Sequence, residues 1–63
     1  MQVTQVMAYE LKGDRVAVWK TGDGEWLVTN TATGKCLRCS CCEQALDTFD
    51  YCLTALHGTN LIN

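Results

Sequence analysis

The sequence predicts an α+β domain: an antiparallel meander of three to four strands, then one C-terminal amphipathic helix packed on one face of the sheet. Three observations carry this expectation. Over residues 2–39, short runs rich in Val, Trp, Thr and Tyr alternate with glycine-bearing turns, and such side chains suit a pleated surface. After Cys42 the apolar positions recur in steps of three and four, the stripe of a helix with one buried face. The 63 residues contain no proline and no low-complexity stretch, which leaves room for one core and no linker. A single domain spanning 1–63 is expected, with the sheet over about 2–39 and the helix over about 41–57.

The first strand is expected over Val3 to Leu11, with Val3, Met7, Tyr9 and Leu11 on one face and Gln5 as the exception. A turn at Gly13-Asp14 leads to a second run, Arg15 to Lys20. Thr21-Gly22-Asp23-Gly24 separates that run from a third, Glu25 to Thr29, and a loop from Asn30 to Gly34 precedes a shorter fourth, Lys35 to Cys39. Glycine-containing loops of about two to five residues join antiparallel neighbours, hence a meander.

The helical stripe consists of Cys42, Ala45, Leu46, Phe49, Cys52, Leu53 and Leu56. Ser40-Cys41-Cys42-Glu43 fits a capping box, in which the Ser40 hydroxyl accepts from the Glu43 amide and the Glu43 carboxylate reaches back to the Ser40 amide. His57 in the last turn and Gly58 at the left-handed C′ position supply the stop.

A sheet with a single helix closes as two layers. Alternation places Met7, Tyr9, Leu11, Val16, Val18, Trp26, Val28 and Leu37 inward, against Leu46, Phe49, Leu53 and Leu56. The reverse face then carries Val6, Ala8, Arg15, Ala17, Trp19, Leu27, Thr29 and Arg38. One helix cannot cover both faces. Trp and Arg are frequent interface anchors, and exposed apolar patches mark interaction sites. A bulge at Gly22–Gly24 would instead carry Trp19 inside.

Charge and composition exclude several classes. A hydrophobic fraction of 48% with a net charge of −2 is too globular for a disordered chain. No apolar run approaches the ~20 residues of a membrane span, and Met1 to Glu10 lacks the regions of a signal peptide. The five cysteines are odd in number, and four fall between Cys36 and Cys42. That pattern fits free thiols in a reducing cytoplasm rather than a secreted disulfide scaffold.

The cysteine cluster holds two overlapping C-x-x-C patterns, 36–39 and 39–42. Zinc requires four ligands, commonly in pairs from separate segments, and beyond the cluster only Cys52 and His57 remain. Cys42 and Cys52 are ten residues apart on one helix, about 15 Å by the helical rise, so they cannot share an ion. A compact site from Cys36, Cys39, Cys41 and Cys42 requires the strand to end in a knuckle, because Cys36 and Cys39 point to opposite faces of a regular strand. No metal or cofactor is therefore expected. Cys41, near the helix N-terminus and off the apolar stripe, is the thiol best placed for redox chemistry. The βαβ context of thioredoxin-like motifs is missing. Cys42 and Cys52 are expected in the core, as small hydrophobes.

Ser40 is the only serine and His57 the only histidine, so no nucleophile–base pair is visible and no enzymatic activity is expected. Glu43, Asp47 and Asp50 lie on one face of the helix, either as its solvated side or as a docking face for a basic partner.

Strands followed by one packed helix resemble the small sheet-type DNA-reading modules of some plant transcription factors and phage integrases. The resemblance implies nucleic-acid contacts through Arg15, Trp19 and Arg38. The acidic balance works against it, because phosphate attraction supplies much of such affinity. The expected function is a small non-enzymatic binding module, a regulator or inhibitor. It would hold another protein or a second copy of itself through Trp19, Arg15, Leu27, Thr29 and Arg38.

Overall fold

A computed structural model describes residues 2–61, with side-chain surroundings for residues 2–57. Four strands, β1 (Val3–Leu11), β2 (Asp14–Thr21), β3 (Trp26–Asn30) and β4 (Lys35–Cys39), form one antiparallel sheet in chain order. They are followed by the helix α1 (Cys42–Leu61). This is the α+β meander-plus-helix architecture expected from the period change after Cys42.

The turns explain the connectivity. Lys12 and Gly13, both at positive φ (52° and 88°), join β1 to β2 between the paired residues Leu11 and Asp14. Two consecutive left-handed residues make a type I′ turn, whose twist matches that of the flanking strands. Between β2 and β3, Thr21 closes the loop. Its amide donates to the Glu25 carbonyl at 2.9 Å, and its hydroxyl accepts from the Glu25 amide at 3.1 Å. In the last loop the Asn30 side-chain oxygen accepts from the Ala32 amide at 2.9 Å, the local bond that suits Asn to turns.

The register of β1 carries one irregularity. Tyr9 faces Val16 and Met7 faces Val18, but Gln5 faces Trp19, so the extra residue lies between Gln5 and Met7. An inserted residue exchanges the two faces of everything before it. Val3 therefore stands opposite Thr21, on the Trp19 side of the sheet, and not with Met7, Tyr9 and Leu11 as strict alternation predicts. The bulge lies here rather than at Gly22–Gly24, so Trp19 keeps the reverse face.

The core sits between α1 and the middle of the sheet. Val16, Val18 and Val28 are fully buried beside Cys39, Ala45 and Cys52, with Trp26, Phe49, Leu53 and Leu56 packed around them. The helix lies over β2, β3 and β4, and β1 is exposed along nearly its whole length. Several expected core positions are consequently open. Met7 and Tyr9 on β1 are left partly open at the margin of the helix, which reaches Tyr9 through His57 near its C-terminal end. Leu37 near the opposite edge is also exposed. Leu46 is 42% exposed while its neighbour Ala45 is fully buried. The buried seam of α1 thus runs through Ala45, Phe49, Cys52 and Leu56. Small side chains at 45 and 52 let the backbone approach the sheet closely.

The helix termini differ from the sequence expectation. The N-cap is Cys41: its Sγ accepts from the Gln44 amide at 3.4 Å, and its carbonyl accepts the Ala45 amide at 3.0 Å. Gln44, rather than Glu43, reaches back, its Oε1 accepting from the Ser40 amide and hydroxyl at 2.8 and 3.0 Å. The arrangement departs from a reciprocal capping box, because Cys41 caps the Gln44 amide while Gln44 reaches back one residue further, to Ser40. At the other end α1 continues through Gly58 to Leu61, so Gly58 does not stop it and His57 is not in its last turn. The His57 ring instead leans on Tyr9 of β1, with centroids 5.5 Å apart.

Candidate interaction face

Strand pairing assembles the reverse face in rows. One row runs Gln5, Trp19, Leu27, Arg38 across the four strands, and the next runs Ala8, Ala17, Thr29, Cys36. Glu10 and Arg15 pair at one end. Among the described residues, no element packs on this side. The register thus brings Trp19, Leu27, Thr29, Arg15 and Arg38 onto one surface.

Trp19 is half-buried and fixed. Its indole Nε1 donates to the Thr29 hydroxyl at 3.0 Å. Thr29 is the cross-strand partner of Ala17, so the ring runs diagonally over the row of small side chains. That explains why Ala17 is only 1% exposed on a face with no covering element. The indole is a flat, oriented roof over Ala17 rather than a free projection.

The charges at the rim are balanced. Arg38 Nε lies 3.6 Å from the Glu25 carboxylate, with both side chains well exposed, an arrangement worth about 0–1 kcal/mol. Arg15 has Glu10 opposite it in the register. Its backbone is pinned by Thr31, whose hydroxyl accepts the Arg15 amide at 2.7 Å. Each guanidinium on this face therefore has a carboxylate close by, which lowers its net attraction for a polyphosphate backbone. On the helix side of the sheet Lys20 is also engaged, its ammonium 5.4 Å from the centroid of the Trp26 ring.

The cysteines divide by environment. Cys39 is buried in the core, its thiol 3.5 Å from the Thr48 hydroxyl, and Cys52 is buried beside it in the seam of α1. Cys36, Cys41 and Cys42 are exposed. Cys42, expected on the core stripe, begins the helix beyond the edge of the packed seam. Cys36 pairs with Thr29 on the reverse face whereas Cys39 pairs with Trp26 on the helix side. Among the described residues, no group of three His, Cys, Asp or Glu side chains comes together to hold a metal ion. Thiol labelling of the native protein is expected to show three fast-reacting cysteines and two that react only on unfolding. A fourth fast thiol would place Cys39 or Cys52 outside the core.

Glu43, Asp47 and Asp50 are all exposed. Sequence reasoning missed a groove of about 320 Å³ between β4 and α1, which Leu37, Tyr51 and Ala55 line. Leu37 was expected inward against the helix, and Tyr51 is a large ring one position off the apolar stripe. No described helix is long and apolar enough to cross a membrane. No known family, curated protein or solved structure matches this chain.

Proposed function

We propose that this protein is a small non-enzymatic binding module, a regulator or inhibitor, whose uncovered sheet face holds a partner protein. The observation that carries this reading is the immobilised Trp19 indole on a face that no described element covers. A ring already fixed by Thr29 loses little conformational freedom on binding, and that loss is a main cost of association. Around it the face has the anatomy of a protein interface. Its centre is apolar, built from Trp19 and Leu27 above the buried Ala17, and its rim is charge-balanced, with Arg15 opposite Glu10 in the register and Arg38 near Glu25.

The test is capture of partners from native lysate by the wild-type chain, by Trp19→Arg and by Leu27→Asp. Circular dichroism confirms that each variant is folded. The expected result is a partner retained by the wild type and reduced at least about tenfold by either substitution, since an anchor residue typically contributes about 2 kcal/mol or more. Equal capture by all three would remove this face from the function.

A further inference from the structure

We propose that β1 is a pairing edge for a second copy of this chain, with the two β1 strands antiparallel and Tyr9 facing Tyr9 across the two-fold axis. This surface is the rim of the sheet, distinct from the Trp19 face, and stands independently of the function proposed for that face.

Hydrogen-bond parity identifies which backbone groups are available. In a two-residue type I′ hairpin, the pair flanking the turn exchanges both of its backbone bonds. Leu11 and Asp14 are that pair, so Leu11, Tyr9 and Met7 direct their amides and carbonyls at β2. Those of Ala8 and Glu10 point outward. Beyond the bulge the parity changes, as shown by Gln2, whose carbonyl turns inward to accept the Gly22 amide at 2.9 Å. Residues 7–11 therefore form a regular stretch of five, a usual strand length. β1 ends the strand order, so no described strand occupies its outer side.

The sequence of this stretch is self-complementary in one register. With Tyr9 on the axis, Ala8 pairs with Glu10 of the second copy and supplies the outward hydrogen bonds, while Met7 meets Leu11. Met7, Tyr9 and Leu11 share the helix side, where Met7 is 39% and Tyr9 36% exposed, Leu11 is half-buried, and the His57 ring of α1 covers part of Tyr9. The second copy covers the parts of Met7 and Tyr9 that the protein's own helix leaves open. Glu10 is the only charge in β1. This register sets it against Ala8 rather than against its own copy, and Arg15 stands beside it in the same sheet. The opposite edge is unlike this one, because β4 carries Lys35 and Arg38 in five residues, the kind of charge that discourages edge pairing. Five paired residues a side is far below the 20–30 of a standard interface. The dimer is accordingly weak, with a dissociation constant on the order of 10–1,000 μM.

Sedimentation equilibrium and amide exchange on the native chain test this directly. The mass is expected to rise from 7.0 kDa toward twice that value as concentration approaches about 1 mM. Over the same range the Ala8 and Glu10 amides slow several-fold, while Met7 and Tyr9 stay protected throughout. Tyr9→Lys and Tyr9→Glu are each expected to be monomeric, because like charges then meet on the axis. A one-to-one mixture of the two regains the dimer. Trp19→Arg leaves the dimer intact. A native chain that stays monomeric at about 1 mM, a mixture that fails to associate, or a dimer lost in Trp19→Arg would each overturn the proposal.

Discussion

Val28→Ala is expected to lower the stability of the domain by about 2 kcal/mol, and Val28→Asp to leave no folded population. Val28 is fully buried at the centre of β3, flanked by Val18 and Leu37 and facing the helix. Truncation removes two carbon atoms, worth roughly 0.8 kcal/mol each, and adds the cost of the cavity left behind. A carboxylate at this position would lie among valines without a charge partner, at a cost of several kcal/mol. A domain of this length holds only about 3–9 kcal/mol in total, so the second substitution exceeds what the fold can lose. Urea denaturation reads the first effect as a lower midpoint at unchanged slope. Val3→Ala, at a half-exposed site, serves as the control. Equal midpoints for the two variants would contradict the core described here.

Ala45→Leu is expected to cost about 1–3 kcal/mol, the usual range for overpacking a closed site, whereas Leu46→Ala should cost less than about 1 kcal/mol. The contrast reverses what size alone suggests. Ala45 is fully buried where α1 meets the valines of β2 and β3, while Leu46 is 42% exposed. Three extra carbons at 45 lever the helix away from the sheet, and loss of the near-ultraviolet signal of Trp26 should accompany the destabilisation. If Leu46→Ala were the more harmful change, the helix would be rotated relative to the seam through Ala45, Phe49, Cys52 and Leu56.

The contrast also shows where the amino-acid pattern stops being informative. Period and turn chemistry located three strands, a shorter candidate fourth and a helix, because alternation and the steps after Cys42 are local properties. They could not fix how the helix is rotated or displaced. Both Ala45 and Leu46 lie on the apolar stripe, and a choice between them requires knowing that the helix sits over β2–β4 and away from β1. The bulge before Met7 was foreshadowed only by the polar Gln5 among apolar neighbours, a signal equally readable as a simple exception. At the helix start, Ser40 and Glu43 satisfied the usual capping pattern, yet the Cys41 thiol accepts the Gln44 amide and the Gln44 side chain holds Ser40, since a thiol can accept an amide and Gln is as able as Glu to reach back over the first turn. The reverse face was legible as a residue set. The bond from Trp19 to Thr29 was not, because it joins residues two pairs apart on a diagonal between strands.

Because each strand pairs with the strand that precedes it in the chain, no connection has to be threaded and few loops must close before contacts form. The docking of α1 reaches further back along the sequence, onto β3 and β2 and, through His57 and Tyr9, to β1. Such local wiring belongs to the fast side of folding for sheet-containing domains, where mean sequence separation between contacts governs the rate. The nine-residue β1, with its open outer side, is thereby captured by its own hairpin early, which shortens the interval in which an unattached strand meets the wrong neighbour.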